Sequence, residues 1–430
     1  MIQGFFRQKN GDNCLFILYV CSEKEKEKME ILSLSTEIVL LLIFGLVFSV
    51  TYLLLPRIRK TTLKFDLYDT PDHRSSHKEI VPTFGGVAFF ICIILVLFFI
   101  QYMDTDGITV SMLVACTITF FVGLKDDFQN LSPKVKFFGQ ILSVGMILSH
   151  PEFQISSFHG FLGIQEIPLL ASIGLSAFLF LGFINAFNLI DGIDGHASIV
   201  GIVISVTFGL IFYKLEMFFY LAICVVLVST LFAFLRFNFS NRQKIFMGDT
   251  GSLVIGLVLG ALAMRLLSLG FEPFSSIAIT RTEIPLLLLG VLIIPALDIS
   301  RVIFIRLVRK KSIFSPDRNH IHHVLIDAGL SHMQASILIG IVNAIIIASS
   351  YFALKYFDLI YAVLFFNILV IALVLSFFIL NRSIANRRTK VYIRAILFRL
   401  KRVFSKSKDS LQEERLAFNQ KLKKIGILFF

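Results

Sequence analysis

Acidic and amide side chains interrupt an otherwise apolar sequence at two places where they could hold a metal ion. Asp126 and Asp127 are adjacent just past an apolar run, and the stretch NAFNLIDGIDG places Asn188, Asp191 and Asp194 at i, i+3 and i+6. On a helix, neighbours at this spacing share a face. Adjacent carboxylates repel unless a cation lies beside them, and Mg²⁺ favours carboxylates combined with water and substrate phosphate. The Asp126–Asp127 pair therefore favours Mg²⁺, with Mn²⁺ as an alternative, and the second stretch permits the close approach of a ligand.

Each of these stretches also has a simpler explanation. Asp126 and Asp127 could form a solvated helix end, although acidic side chains are unfavourable at a helix C-terminus. Termination of a helix by an Asp-Gly pair would account for one such pair, but NAFNLIDGIDG contains two of them together with two asparagines. A ligand site explains the second stretch better than helix termination does.

A third stretch, FMGDTGS, places a carboxylate at the start of an apolar helix. Asp249 follows Gly248 and precedes Thr250 and Ser252. The N–H groups and the positive dipole end of a helix N-terminus favour phosphate. Because a carboxylate repels phosphate unless a metal bridges them, this stretch again indicates Mg²⁺. An ordinary Asp or Thr helix cap is the alternative.

Two further stretches supply groups that bind anions. The first, DLYDTPDHRSSHKEIVPTFGG, contains prolines that prevent a continuous helix and a Gly85-Gly86 pair that permits close backbone approach. The second, FSPDRNHIHH, has histidines at i and i+2, which do not share a helix face, so anion or hydroxyl contacts, or general acid chemistry, are favoured over zinc. The predicted substrate-binding residues of these stretches are Arg74, His77, Arg318, His320, His322 and His323.

Long apolar segments are the elements that must position these polar groups. The chain of 430 residues is 56% hydrophobic and 16% charged, whereas a soluble globular chain is roughly 25% charged. Its mean hydropathy is +0.81. Runs near the ~20 residues that cross a bilayer as a helix lie at 32–55, 84–103, 107–124, 134–150, 167–187, 197–214, 216–236, 250–268, 284–307, 334–355 and 357–380. The sequence predicts an all-α polytopic membrane protein with about eleven transmembrane helices.

Lysine and arginine are distributed unequally between the two sets of loops that alternate along these runs. One set carries only Lys214, Arg265, Arg281 and Lys355. The other set is rich in basic residues and also carries the five polar stretches. Since basic loops stay in the cytoplasm, the N-terminus is expected outside, the C-terminus in the cytoplasm, and the active site on cytoplasmic loops.

Composition divides the chain into three parts. Residues 1–30 are expected to be an N-terminal extension, with Met29 as the true start, and residues 31–380 form the membrane domain. Residues 381–430 form a basic cytoplasmic tail in which much of the net charge of +12 is concentrated. Such a tail reinforces topology or contacts anionic membrane lipids. Nucleic acid is not an expected partner, because no recognisable binding module accompanies the charge.

The five stretches, taken in order, resemble a known family. DTPDHRSSHKEIVPTFGG, GLKDDF, NAFNLIDGIDG, FMGDTGS and SPDRNHIHH look like the motifs of the polyprenyl-phosphate N-acetylhexosamine-1-phosphate transferase superfamily, the glycosyltransferase 4 family, over about residues 36–345. FSPDRNHIHH is more similar to the undecaprenyl-phosphate N-acetylglucosamine-1-phosphate transferase branch than to the muramyl-pentapeptide branch. One departure is His196, where the family usually has leucine.

The resemblance implies a reaction and its partners. Family members transfer a sugar 1-phosphate from a UDP-sugar to a polyprenyl phosphate and release UMP, as the first membrane step in making cell-envelope polysaccharides such as O-antigen. The implied substrates are undecaprenyl phosphate and a UDP-N-acetylhexosamine, with UDP-N-acetylglucosamine the leading donor. A bacterial plasma (inner) membrane location with the active site facing the cytoplasm, and a homodimer, are further expectations.

The resemblance also implies roles for individual residues. Asp249 matches the principal Mg²⁺ ligand, and Asp126 and Asp127 match catalytic residues near the lipid phosphate, one of them proposed as a base. Asn188, Asp191 and Asp194 match the motif that shapes the nucleotide and metal region, with Asp191 as a second candidate metal ligand. The histidines at 320, 322 and 323 match the loop that contacts the sugar nucleotide.

Three other functions fit parts of the pattern. An intramembrane prenyltransferase also holds a diphosphate through Mg²⁺ on Asp-rich motifs, but it would release pyrophosphate. A CDP-alcohol phosphotransferase needs a glycine-aspartate spacing that NLIDGIDG does not supply. A transporter with intramembrane carboxylates would place them near the midplane between repeats, whereas here they gather at one predicted interface.

Overall fold

The computed structural model describes residues 2–10, 13–20, 32–65, 67, 81–101, 104, 107–270, 277, 279–308, 310 and 320–385. Three strands come first: β1 (Ile2–Asn10), β2 (Asn13–Val20) and β3 (Leu32–Ser35), paired antiparallel in the order β1-β2-β3. Strands β1 and β2 lie within the predicted N-terminal extension of residues 1–30, and β3 directly precedes the first long helix.

From Thr36 to Ala385 the long elements that the structure describes are helices, as predicted. They are α1 (Thr36–Lys64), α2 (Gly86–Ile100), α3 (Thr109–Gln129), α4 (Pro133–Leu148), α5 (Leu169–Ile190), α6 (His196–Lys214), α7 (Phe218–Asn238), α8 (Gly248–Ser268), α9 (Ile284–Val291), α10 (Ile293–Val308), α11 (Ile321–Asp327), α12 (His332–Tyr356) and α13 (Leu359–Ala385). The basic tail beyond residue 385 lies outside the described residues.

Eight of the described helices are long and apolar enough to cross a membrane. The pair α9 and α10 adds a ninth candidate if its two parts, bent by 66°, form one span. Pro295 lies in the first turn of α10, where a missing N–H is tolerated. Helices α2 and α4 fall on predicted apolar runs but have only 15 and 16 residues. The chain is a multi-pass membrane protein.

Helix α8 forms the centre of the bundle. All of its apolar window is buried inside the protein, and it packs against α2, α3 and α5. By contrast, only 6% of the corresponding window of α13 is buried. A helix that is apolar all round and buried all round belongs to a core, so α8 is the fixed element around which the polar loops are arranged.

Candidate active site

Asp127 joins the end of α3 to the beginning of α8. Its Oδ1 accepts the backbone N–H of Asp249 at 2.8 Å, and its Oδ2 accepts the N–H of Thr250 at 2.9 Å and the Thr250 hydroxyl at 2.5 Å. Asp127 thus caps α8 from a helix more than a hundred residues away in sequence. The sequence predicts a free α8 N-terminus for phosphate, but these two N–H groups already have a carboxylate partner.

Two glycines make this approach of α8 geometrically feasible. Gly248 has φ +71°, and a Cβ there would lie 2.0 Å from the Thr83 carbonyl oxygen. A Cβ on Gly86 would lie 2.1 Å from the Gly251 nitrogen. The Gly86 N–H donates to the Met247 carbonyl at 2.9 Å. The prediction that the Gly85-Gly86 pair permits close backbone approach is confirmed, and its neighbour is the start of α8.

Asn188, near the end of α5, contacts the same carboxylate cluster. Its Nδ2 donates to Asp249 Oδ1 at 2.5 Å and to Ser252 Oγ at 2.8 Å. Asn185, one turn earlier, instead exchanges hydrogen bonds with Gln140 of α4. Asn188 therefore orients Asp249, and Asn185 helps to hold α5 against α4.

Lys136 is a member of the cluster that sequence reasoning missed. Its ammonium contacts Asp126 Oδ2 at 3.0 Å and also forms an ion pair with Asp249 Oδ2. The other oxygen of Asp126 accepts the Leu131 N–H at 2.6 Å. In the sequence, Lys136 is one of several basic residues in the loops. Nothing in the composition therefore indicates that its side chain lies between two carboxylates. Its position ten residues after Asp126, beyond a Pro133 helix start, is the only available clue.

The predicted helix boundaries around the acidic residues need two corrections. Asp126 and Asp127 lie in the last turn of α3, which runs to Gln129, rather than beyond its end. Helix α5 stops at Ile190, so Asn188, Asp191 and Asp194 do not share one helix face. Asp191 is instead the C-terminal cap of α5. The helix ends there because the Gly-rich turn that follows includes Gly195 at φ +77°.

Asp191 remains electrostatically close to the cluster. Burial raises the pKa of its carboxyl to about 8, and the nearby carboxylates of Asp249, Asp127 and Asp194 add to the rise. The ionised Asp191 carboxylate therefore needs a cation nearby, whereas the neutral carboxylic acid can remain buried without one.

The Asp194 carboxylate points to other partners. Its Oδ2 accepts the Lys244 ammonium at 2.6 Å and lies 3.0 Å from His332 Nδ1. Its backbone carbonyl accepts the Ser336 hydroxyl at 2.7 Å. Burial alone would raise the pKa of Asp194, but the hydrogen bonds from His332 and Lys244 outweigh it and hold that pKa below its usual value. These contacts connect the α5–α6 turn to the loop before α8 and to the start of α12.

The predicted histidine loop meets the α5–α6 turn. His320 Nδ1 lies 2.8 Å from Oδ2 of Asp298, a buried carboxylate of α10. The His322 ring stacks on His320 at 5.4 Å between centroids and lies 5.3 Å from the His196 ring. A Cβ on Gly192 would be 2.4 Å from His322 Nε2. Burial, and the neighbouring histidines, lower the pKa of His322.

The structure brings most of the predicted residues to one end of the bundle, in two adjoining groups. The first group contains Asp126, Asp127, Asn188 and Asp249, with Asp191 beside it; the second contains His320, His322 and His323. Arg74, His77 and Arg318 lie outside the described residues.

The donor groups suit Mg²⁺, although no metal geometry is preformed. Among the residues the structure describes, no three His, Cys, Asp or Glu side chains are grouped so as to hold an ion. Carboxylate and amide oxygens with nearby hydroxyls are nevertheless the chemistry that Mg²⁺ prefers. The ammonium of Lys136 already bridges Asp126 and Asp249. One positive charge thus already lies between two of these carboxylates.

Comparisons with known proteins show which family the chain is similar to. The family model "Glycosyl transferase family 4" matches residues 109–267, the segment from α3 to α8. A Bacillus subtilis (strain 168) protein named "Probable undecaprenyl-phosphate N-acetylglucosaminyl 1-phosphate transferase" is 31% identical over 297 residues, covering 67% of this chain and 78% of the relative.

Two relatives from other bacteria have similar names. The "Undecaprenyl-phosphate alpha-N-acetylglucosaminyl 1-phosphate transferase" of Yersinia pestis is 29% identical over 325 residues, covering 74% of this chain and 84% of the relative. The "Decaprenyl-phosphate N-acetylglucosaminephosphotransferase" of Mycolicibacterium smegmatis is 31% identical over 313 residues, covering 67% and 76%. The chain therefore belongs to glycosyl transferase family 4, within the branch of the polyprenyl-phosphate N-acetylglucosamine-1-phosphate transferases.

Proposed function

We propose that this protein transfers N-acetylglucosamine 1-phosphate, or a related N-acetylhexosamine 1-phosphate, from a UDP-sugar to undecaprenyl phosphate and releases UMP. The observation that carries the proposal is the cluster of Asp126, Asp127, Asn188 and Asp249, assembled from three helices at the end of an apolar bundle. Such a position lets a soluble donor and a membrane-bound acceptor meet. The names of the relatives agree with both substrates.

The reaction requires two anions to come together. An oxygen of the lipid phosphate forms a bond to the sugar-bound phosphorus of the donor, and the bond from that phosphorus to the oxygen of the departing UMP breaks. Alignment and charge neutralisation therefore dominate catalysis. A phosphate monoester has a second pKa of about 6, so the lipid phosphate is already largely dianionic at neutral pH and needs little help from a base.

The contacts of the carboxylates favour positioning roles. Both oxygens of Asp127 are engaged with the first residues of α8, which suits an anchor better than a proton acceptor. Asn188 fixes one oxygen of Asp249. We assign Mg²⁺ to Asp249 and Asp191. Asp126 lies beside this position, where it contacts the Lys136 ammonium. When bound, Mg²⁺ (or Mn²⁺) would neutralise phosphate charge and hold the diphosphate in line.

The second group of side chains is assigned to the donor. His322 lies against Gly192 of the α5–α6 turn, so the histidine loop and the turn form one surface beside the carboxylates. His320 is held by Asp298. Imidazole groups in this arrangement suit hydrogen bonds to the diphosphate or sugar hydroxyls. Arg74, His77 and Arg318 are proposed to complete the site from the loops that precede α2 and α11.

The membrane arrangement follows from the same assignment. We propose eleven spans, with α2, α4 and the bent pair α9–α10 included, the N-terminus outside and the C-terminus in the cytoplasm of a bacterial cell. The excess of basic residues in the loops around the site supports this orientation. The active site would then face cytoplasmic UDP-sugar, in a protein that the family resemblance suggests is a homodimer.

Product analysis distinguishes this function from the prenyltransferase alternative. The purified protein is incubated with undecaprenyl phosphate, Mg²⁺ and a panel of UDP-N-acetylhexosamines, while UMP and pyrophosphate are measured separately. UMP release that depends on both substrates supports the phosphotransferase and identifies the donor. In a parallel incubation that supplies a prenyl diphosphate and an acceptor, pyrophosphate release, without UMP from any donor in the first incubation, would support the alternative.

A further inference from the structure

We propose that Lys136 is an internal counter-ion that occupies the place of Mg²⁺ in the metal-free protein and is displaced when Mg²⁺ binds. The proposal rests on the function proposed above, because it concerns the same carboxylates. The ammonium bridges Asp126 on α3 and Asp249 on α8, although Lys136 itself belongs to a third helix, α4.

The hydrogen bonds of the two carboxylates define the point where a cation is needed. Asp126 Oδ1 accepts the Leu131 N–H, and Asp249 Oδ1 accepts the Asn188 amide. In each carboxylate the Oδ2 atom is the one that Lys136 contacts. One ammonium thus satisfies the remaining oxygen of both groups, and Mg²⁺ bound by Asp249 would need the same oxygens.

Local charge explains why some cation must be present. Asp126, Asp127, Asp191 and Asp249 are gathered in a partly buried region, and like charges there disfavour one another. Removal of one partner from a buried ion pair leaves an uncompensated charge, which is strongly destabilising. Lys136 provides that compensation before the metal and substrates arrive.

The side chain of lysine is suited to being displaced. Lysine carries a compact charge on a flexible stem with rotatable donors. The Lys136 side chain is 17% exposed and lies in the first turn of α4, which begins at Pro133. On metal binding the ammonium can therefore turn outward without moving the helix, toward the region where the anionic substrates bind. Lys136 is accordingly a positioning residue for the metal, and Mg²⁺ and Lys136 compete for Asp249.

Competition between Lys136 and Mg²⁺ predicts that a substitution within the site tightens metal binding. Replacement of Lys136 by methionine keeps the length and apolar stem of the side chain but removes the competing charge. Mg²⁺ should then bind about tenfold or more tightly, even though turnover is expected to fall. An indirect structural effect of the substitution would weaken metal binding instead.

The test is isothermal titration of Mg²⁺ into the full-length protein in detergent, without substrates. Lys136→Met is compared with Lys136→Arg, which keeps the charge, and with Lys134→Met on the same helix turn, where the side chain is exposed. We expect tighter Mg²⁺ binding for Lys136→Met and values within about threefold of wild type for Lys134→Met and Lys136→Arg. The Mg²⁺-induced rise in melting temperature should be largest for Lys136→Met.

The outcomes separate the inference from the proposed function. If wild type binds Mg²⁺ but Lys136→Met binds it equally or more weakly, the counter-ion role is wrong while the metal site stands. If Lys136→Met does not fold without metal, Lys136→Gln is titrated instead, and Mg²⁺ binding by this neutral polar variant that is no tighter than in wild type contradicts competition. If wild type binds no Mg²⁺ and turns over without it, both the counter-ion role and the metal assignment fail.

Discussion

Asp249 is the side chain on which the other residues of the site converge. Its N–H is bound by Asp127, and its carboxylate accepts Asn188 and Lys136. The sequence identifies three of these four residues, because acidic and amide groups are conspicuous beside apolar runs. It does not identify Lys136, because this residue is one of several lysines and arginines in the basic set of loops. For single residues, the residue type predicts which chemistry a side chain can perform. Which charged side chains form ion pairs depends instead on how the helices pack.

Replacement of Asp249 by asparagine should leave the fold intact and remove activity. The amide keeps the shape of the side chain but loses the charge that holds Lys136 and, in our assignment, the metal. We expect kcat to fall by about 100- to 1,000-fold, the range seen when one preorganised electrostatic group is removed. UMP release measures the effect. The control is Asp358→Asn, a change of the same chemistry at the exposed residue before α13, and a comparable loss there would contradict a site-specific role.

The raised pKa of Asp191 predicts pH-dependent metal binding. Because burial and the neighbouring carboxylates raise that pKa to about 8, the carboxyl is protonated below pH 8 in the metal-free protein. Mg²⁺ requires the ionised form. The apparent Mg²⁺ affinity should therefore rise about tenfold per pH unit from roughly pH 6 toward 8 and level off above it. Titration calorimetry measures this slope. Asp191→Asn should abolish the slope; if the variant retains it, Asp191 is not a ligand.

At the scale of elements, the turn between α5 and α6 shows where sequence periodicity stops being informative. The i, i+3, i+6 spacing predicts one face for Asn188, Asp191 and Asp194 only if the helix continues through them. Helix α5 ends at Ile190, Asp191 caps it, and Asp194 contacts Lys244 and His332. Helix propensity alone cannot place this end, because the contacts of Asp194 that hold the turn come from α12 and from the loop before α8.

Asp194→Asn should therefore reduce stability more than metal binding. The carboxylate is 14% exposed and contacts Lys244 and His332, so its neutralisation should cost about 1–3 kcal/mol. Since the folded pKa is held below the usual ~3.9, this stabilisation is present above pH 4 and is lost as pH falls further. Thermal unfolding in detergent at pH 7 measures the loss. Unchanged melting together with abolished Mg²⁺ binding would instead place Asp194 in the metal site.

The close contact between α2 and α8 predicts that a larger residue at Gly86 lowers the stability of the protein. Gly86→Ala should destabilise the protein by about 3 kcal/mol, because the new Cβ would lie 2.1 Å from backbone of α8. Gly145→Ala in α4 is the matched control, since no atom lies within 4 Å of its added Cβ. The control should be neutral or stabilising. Equal melting temperatures for the two variants would show that the helices do not approach this closely.

At the scale of the whole molecule, hydropathy predicts the helical architecture well. Each of the eleven apolar runs coincides with a described helix or with the pair α9–α10. Hydropathy alone does not reveal that α2 and α4 are short or that α9 and α10 are bent by 66° relative to each other. It also does not reveal the short helix α11 after α10. Those features depend on packing against α8 and on loops, whereas length and apolar content are local properties of the sequence.

At the same scale, the proposed function needs one site that meets substrates of opposite character. Carboxylates of α3, the Asn188 amide of α5 and the Lys136 ammonium of α4 meet Asp249 at the first residues of the buried helix α8. In the proposed function, a lipid phosphate would reach this end of the bundle from the membrane, and a nucleotide sugar would reach it from water.

The most direct test follows the phosphate attached to the sugar. UDP-N-acetylglucosamine labelled with ³²P in that phosphate is incubated with undecaprenyl phosphate, Mg²⁺ and the purified protein, and lipid and aqueous phases are separated. We expect the label to enter the lipid in equal amount to the UMP released, and Asp249→Asn to lower both rates by the same factor of about 100 to 1,000. Label that remains in the aqueous phase as UDP while the sugar moves to lipid would contradict this expectation.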